Sequence, residues 1–300
     1  MNGVLVIDKP GGMTSHDVVA RVRRLLHEKS VGHLGTLDPM ATGVLPLVLG
    51  RMTRLARFYG EAEKAYEGEI RFGFATDTYD ADGEPIGEAT AAVLSLEQVR
   101  EAALRFVGKF EQMPPPFSAK KIAGVPAYKL ARKKKEVELQ PVEVEVLELE
   151  ILSLEGDRAR FRSRVSAGTY LRSIAHEIGK ALGVGAHLAG LRRTASSEFS
   201  LEEARTLQQL ETAAAAGDPE REFVHLRRVL PAFPSVTVTD EVAARIRNGM
   251  PVNLPEMSKS KFVKVFVGQS DLIAIASRVA GTLFHPKVVL AGSQEPVPSR

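Results

Sequence analysis

The order of helices and strands along this 300-residue sequence is compatible with an α+β protein that carries a small β-barrel at its C-terminus. Three observations carry that expectation. Helical and strand patterns are mixed along the first 230 residues. Two strand patterns flank Glu155-Gly156-Asp157, as in a hairpin. Beyond about Pro231 the texture changes to short β-rich pieces (SVTVT, KFVKVFVG, LIAIASRVAG, KVVL) separated by Gly and Pro turns.

Gly3 to Ile7 reads as a short strand, and Lys9-Pro10-Gly11-Gly12 as a loop. Thr14 and Ser15 are N-cap candidates for a helix over His16 to His27, with Val18, Val19, Val22, Leu25 and Leu26 on one face. GHLGTLDPMATG (32–43) has no clean period, so it reads as a long loop leading into the apolar run Val44 to Leu49. A lone carboxylate, Asp38, stands there before a proline. Its residue type fits a turn residue as well as a reacting group. Tyr66 to Phe74 alternates as a strand, DTYDADGEPI is turn-rich, and Ser95 caps a helix over Leu96 to Phe106. The prolines and basic residues of 113–141 break any period and read as an excursion from the core.

Val142 to Leu154 and Arg158 to Val165 form the hairpin. In its second strand Arg158, Arg160, Arg162 and Arg164 share one face, opposite Ala159, Phe161, Ser163 and Val165. A helix follows from about Tyr170 to Leu182. GAHLAGLRRTASSEF then reads as a short strand or turn before a helix starting near Leu201. AAAAGDPERE (213–222) looks like a boundary segment. The resulting division is a domain over 1–230 with an excursion at about 111–143, a β-rich domain over 232–292, and a tail over 293–300.

The net charge is only +3, from 40 basic and 37 acidic residues. Its distribution is more informative. Residues 158–193 hold eight Lys/Arg against one acidic residue, and residues 114–141 hold seven against two. Such local excesses suit an anionic polymer such as nucleic acid, or else a solvated basic face. The absence of cysteine excludes disulfides, zinc–thiolate sites and thiol chemistry. No apolar run reaches the roughly 18 residues of a membrane span, nor does the N-terminus have a signal-peptide core. The expectation is a soluble, cytoplasmic protein without membrane contact.

Several familiar motifs fail. There is no G-x-x-x-x-G-K-[ST] phosphate loop, no correctly spaced dinucleotide fingerprint and no G-x-S-x-G nucleophile elbow. DTYDADGE imitates a calcium loop, but its twelfth position is Ala89 where a Glu is needed. The seven histidines show no metal-ligand spacing. What remains is a carboxylate, arginines and aromatics, with no cofactor and no metal expected.

GHLGTLDPMATGVLPLVLG (32–50) closely resembles the catalytic motif of the TruB family of pseudouridine synthases, which make pseudouridine 55 in the T-loop of transfer RNA. DKPGGMTS (8–15), KAYEGEIRFGFATDTYDADG (64–83), SAGTYLRSIAHEIG (166–179) and GAHLAGLRRT (185–194) resemble the family's other four motifs, in the family's order. The resemblance implies a central mixed, mostly antiparallel sheet with flanking helices, and makes the C-terminal β-rich unit similar to a PUA domain.

It also implies roles. Asp38 is the nucleophile, a job suited to a carboxylate that must attack and then leave. Arg172 is its ion-pair partner. Tyr66 stacks on the target base, with its hydroxyl near the carbon that loses a proton. His33 fills the space left by a flipped nucleotide, and Tyr170 and Leu191 line the base pocket. Asp80 contacts the substrate, and Lys9 supports the loop carrying Asp38. Lys120, Lys121, Lys129 and the run Arg132 to Lys135 grip phosphates of the T-arm, while the PUA-like unit meets the acceptor end of the tRNA. A monomer is expected. Two rivals stand beside this reading: a guide-RNA-dependent, dyskerin-like synthase, and an RNA-folding or RNA-binding module whose catalysis is incidental.

Overall fold

The computed structural model describes residues 1–115, 121–122, 125–126 and 140–290, the four between 121 and 126 by their backbone alone. The expected phosphate-gripping side chains Lys120, Lys121, Lys129 and Arg132 to Lys135, and the tail, lie outside the described residues.

Local sequence accounts for most elements. The apolar runs near the N-terminus form β1 (Gly3–Lys9), β2 (Val31–His33) and β3 (Thr42–Leu49). Helix α1 (Ser15–Leu25) starts at Thr14, whose side chain accepts from the Asp17 amide while Asp17 bonds back to the Thr14 amide. That reciprocal cap satisfies two otherwise orphaned donors. The helix stops short of the expected His27, which has left-handed backbone at φ 50°. A 3₁₀ helix (Gly50–Phe58) then leads to β4 (Lys64–Phe72). The acidic turn is pinched by the two-residue strands β5 (Ala75–Thr76) and β6 (Pro85–Ile86). Helix α2 (Leu96–Leu104) has the cap expected at Ser95 and ends two residues early.

Next come β7 (Gly108–Gln112), the small pair β8 (Lys121–Ile122) and β9 (Val125–Pro126), then β10 (Val142–Glu155), β11 (Arg158–Val165), α3 (Leu171–Ala181) and β12 (Ala186–Ser196). The short β13 (Phe199–Ser200) turns back on β12. A nine-stranded sheet runs β1-β3-β12-β4-β11-β10-β7, with β2 added on β3 and β13 on β12. Only the β3–β12 pairing is parallel, so the sheet is mixed and mostly antiparallel as expected.

Two expectations change here. GAHLAGLRRTASSEF is a central strand of eleven residues rather than a short strand or turn. Its alternation is broken where the pairing with β4 slips, between Leu188 and Gly190 and between Arg193 and Ala195. The helix expected near Leu201 begins instead behind a Thr206–Gln209 capping box, as α4 (Leu207–Ala215).

The arginine stripe on β11 is also reassigned. Arg158 pairs with Glu69, Arg162 with Glu148 and Glu150 (3.2 and 2.6 Å), and Arg164 with Glu63 (3.7 Å). Glu69 on β4, Glu148 and Glu150 on β10, and Glu63 just before β4 supply those carboxylates. Apart from Arg160, the stripe is thus a ladder of exposed ion pairs, not an open basic face.

The C-terminal sheet runs β14-β16-β17-β18-β15, built from β14 (Ser235–Thr237), β15 (Val252–Asn253), β16 (Phe262–Val267), β17 (Asp271–Ala280) and β18 (Leu283–Val289). Helix α5 (Asp240–Arg247) packs on this curled, PUA-like sheet. One apolar cluster crosses between the two sheets, joining Val4, Val6 and Val48 to Phe266, Ile275 and Val288. No described helix is long and apolar enough to cross a membrane.

Candidate active site

The pairing of β11, β4, β12 and β3 sets one row across the large sheet: Ser163, Tyr66, Arg193 and Gly43. Arg193 is fully buried. Its Nε donates to the Val44 carbonyl (2.7 Å), Nη2 to Gly35 (3.1 Å) and Nη1 to Thr36 (3.3 Å). One guanidinium therefore ties the loop before Asp38 to the strand after it. Gly43, at φ 100°, permits this closeness: a Cβ there would stand 2.2 Å from the Arg193 carbonyl oxygen.

Two further side chains hold the loop. Ser15, the first residue of α1, donates its hydroxyl to the Leu37 carbonyl (3.1 Å) and accepts from the Leu37 amide (2.8 Å). Lys9, at the end of β1, is wholly buried. Its ammonium donates to the carbonyls of Pro10 (2.8 Å), Met13 (2.6 Å) and Pro39 (3.1 Å). Lys9 therefore braces the backbone on the far side of Asp38. These contacts use its three donors, so it supports the loop and has no donor left for a substrate.

Asp38 meets Arg172 side by side. Arg172 Nε lies 2.8 Å from Asp38 Oδ2, and Nη2 donates to Oδ1 at 3.2 Å. Such a fork fixes the carboxylate's direction as well as its charge. Arg172, near the start of α3, is 4% exposed, whereas the Asp38 side chain keeps 34% of its surface open to the cleft. Behind the pair, Arg172 Nη1 donates to the Thr78 carbonyl (2.9 Å) and lies 3.3 Å from Asp80 Oδ2. Burial pushes the Asp38 carboxyl above its usual range; Arg172 opposes that rise and the Asp80 charge adds to it.

Asp80 was expected to contact the substrate. It is 4% exposed, with its carboxylate accepting from the Thr78 hydroxyl (2.6 Å) and the Asp82 amide (3.1 Å). The turn folds it inward against Arg172, away from the cleft, so its part is to orient that arginine.

A cleft of about 400 Å³ opens over Asp38. His33, Lys64, Tyr66, Tyr170, Arg172 and Leu191 are among its lining residues. Tyr66 is almost buried; desolvation raises its phenol, and the Arg193 guanidinium beside it works against that rise. His33 stands edge-on to His16 at 5.6 Å and accepts the Gly35 amide at Nδ1 (3.3 Å). Burial lowers its pKa, favouring a neutral ring. Tyr170 is anchored through its backbone, which donates to Gln112 Oε1 (2.8 Å) and accepts from Gln112 Nε2 (3.0 Å).

The structure thus brings Asp38, Arg172, Tyr66, His33, Tyr170 and Leu191 to one cleft, with Lys9 and Asp80 behind it. Sequence reasoning had passed over Arg193, Ser15, Gln112 and Lys64. Arg193 and Ser15 sit inside the quoted motifs, but only strand register places Arg193 beside Tyr66. Among the described residues no cluster of three or more His, Asp or Glu could hold a metal ion.

The sequence model of the TruB family pseudouridylate synthase N-terminal domain matches residues 23–171. That of the tRNA pseudouridylate synthase B C-terminal domain matches residues 172–233. The chain is 54% identical over 293 residues to the tRNA pseudouridine synthase B of Solibacter usitatus, spanning 97% of this chain and 100% of that protein. Identity to the protein of the same name from Bacillus anthracis is 40% over 295 residues, spanning 96% and 94%. Among solved structures, a chain of a Cbf5-Nop10-Gar1 complex superposes with TM-score 0.71 at 26% identity, covering 97% of this chain and 85% of that one. A chain of an H/ACA RNP bound to a substrate RNA containing 2'-deoxyuridine gives 0.71 at 25% identity, covering 96% and 85%.

Proposed function

Because this chain belongs to the TruB family of pseudouridylate synthases, we propose that it isomerises uridine 55 in the T-loop of tRNA to pseudouridine. The enzyme is an isomerase of tRNA; the nucleotide and the residue roles are our reading. One observation carries it. Among the described residues of the cleft, Asp38 and Arg172 are charges fixed to each other, at 2.8 Å, beside an apolar pocket of Tyr66, Tyr170 and Leu191 suited to a single base.

The reaction breaks the N-glycosidic bond and joins the same base through carbon 5, with no change in composition. It needs no redox partner or group donor. Asp38, its charge supported by Arg172, attacks either the sugar or the base of the nucleotide and leaves again before the product is released. The carbon 5 proton is then lost and nitrogen 1 gains one. Tyr66 holds the base by stacking, a contact worth about 1–3 kcal/mol, with its hydroxyl toward the carbon that loses its proton.

The target is inaccessible within a folded T-loop, so it must be flipped out. His33, neutral and at the cleft rim, occupies the vacated space. The basic segment within 111–143 grips the T-arm backbone, and the C-terminal unit, from about 232, meets the acceptor end. We take the division between the two units to fall at about 230–232. We take the working unit to be a cytoplasmic monomer.

Incubating the purified protein with unmodified tRNA transcript and mapping pseudouridine tests this reading: one new pseudouridine at position 55 is expected. Modification only in the presence of a guide RNA or accessory proteins would favour the dyskerin-like alternative, which the 0.71 likeness to a Cbf5 complex keeps in view. Neutralising the lysines and Arg132 of the 111–143 segment should flatten the salt dependence of tRNA binding; an unchanged slope counts against the grip.

A further inference from the structure

Lys64 stands on the same face of β4 as Tyr66, two residues before it, and lines the catalytic cleft. Its half-buried stem passes over Gly35, whose added Cβ would lie 3.3 Å from Lys64 Cε. The ammonium donates to the Ala62 carbonyl at 3.0 Å. A lysine ammonium has three donors, so two remain for a ligand.

The charges around it are unbalanced. Neighbouring carboxylates are engaged elsewhere, Glu63 with Arg164 and Asp38 with Arg172. The charged group acting on Lys64 is another cation, Arg193, whose own donors go to three carbonyls. Burial and that neighbour hold the ammonium down at about 8. Among the described residues no carboxylate pairs with Lys64, so this corner of the cleft presents positive charge without a protein anion.

We infer that Lys64 is the seat of a backbone phosphate of the target nucleotide, gripping the RNA strand where it enters the cleft. The inference rests on the uridine-isomerising reading above and adds a binding residue to it. The apolar wall of Tyr66, Tyr170 and Leu191 takes the base, while the edge formed by Lys64 and Gly35 is left for the sugar–phosphate chain. A phosphate there would accept the two remaining N–H bonds and supply the anion that the corner lacks. The same contact would fix the nucleotide's register over Asp38 without reading its sequence.

Kinetics of the full-length protein on an unmodified tRNA transcript test the assignment. Lys64→Gln should raise KM about ten- to a hundredfold, the loss typical of a charge-assisted hydrogen bond, with kcat changed little. Lys64→Arg should recover most of the affinity, and both variants should unfold at the wild-type temperature. A T-arm stem-loop with a neutral methylphosphonate 5′ or 3′ of the target uridine locates the contact. At one of these positions the wild type should lose as much affinity as Lys64→Gln does, and Lys64→Gln should lose nothing further. Anisotropy on the same stem-loops reads binding apart from turnover, so failure of the reaction and failure of the phosphate contact are separable. Unchanged affinity in Lys64→Gln, a fall in kcat alone, or multiplying losses at both phosphates would overturn the assignment.

Discussion

Asp38 and Arg172 show how one residue pair can hold a charge ready inside a cleft. The carboxylate is pushed toward neutrality by burial and by Asp80, and Arg172 opposes that push. On the proposed nucleophilic role, Asp38→Asn should abolish pseudouridine formation while tRNA binding persists, as read by product mapping and a binding isotherm. Arg172→Ala strands Asp38 and Asp80 against each other. A loss of about 3–5 kcal/mol is expected from breaking a buried pair, measured by denaturant unfolding, together with loss of turnover. A pH profile tests the same electrostatics. An Asp whose native pKa is raised takes up its proton at a higher pH than a free carboxylate, so kcat/KM should begin to fall on the acid side above the ordinary Asp range of about 3.9. Asp80→Asn removes a like charge and should move that acid limb to lower pH. Tyr66→Phe keeps the ring and deletes the hydroxyl; a steep drop in kcat with KM held is expected, and normal turnover would leave stacking as its only role.

At the scale of elements, the site is assembled by strand register. Tyr66, Arg193 and Gly43 come from three segments far apart in sequence and meet because β4, β12 and β3 pair in one order. Gly43→Ala should therefore destabilise the fold by about 1–3 kcal/mol through its left-handed backbone. Further loss should come from displacing Arg193, whose carbonyl lies 2.2 Å from the added Cβ. Differential unfolding of the variant checks this, and cleft chemistry should suffer with it because Arg193 braces the Asp38 loop. The caps at Thr14 and Ser95 were readable, being local pairs three residues apart, whereas the one at Thr206 was missed in favour of a start near Leu201. Strand β12 was not: Gly190 and the Arg192-Arg193 pair break its alternation, and only its neighbours on both edges stabilise it as a long central strand. The arginine stripe of β11 was legible as a stripe, but its partners lie on β10, on β4 and just before β4, and the stripe itself does not reveal that they are acidic.

The whole molecule is tied together by apolar packing between its two sheets. Phe266, Leu272, Ile275, Val288 and Leu290 share one cluster with Val4, Val6, Leu55 and Val229. Buried Lys264 adds hydrogen bonds to the carbonyls of Arg227 (2.8 Å) and Val229 (2.7 Å). A chain ending after Leu230 should thus expose part of its own core, lowering the unfolding midpoint by several degrees or more and promoting aggregation. Thermal unfolding and light scattering on the truncated protein would register both.

The sequence by itself determined the kind of molecule, its five motifs and the starts of α1, α2 and α3, because capping, turns and alternation are local and motif residues are read by identity. It also singled out Asp38, Tyr66, His33, Arg172, Tyr170 and Leu191 through resemblance. Only the tertiary structure decided that Asp80 turns inward, that Lys9 is fully engaged with backbone carbonyls, and that Arg193 and Ser15 hold the Asp38 loop. The physical reason is the same in each case. A polar side chain's role depends on which carbonyl, carboxylate or open space lies within about 3 Å of it, and here those partners come from strands and loops that meet only when the sheet closes.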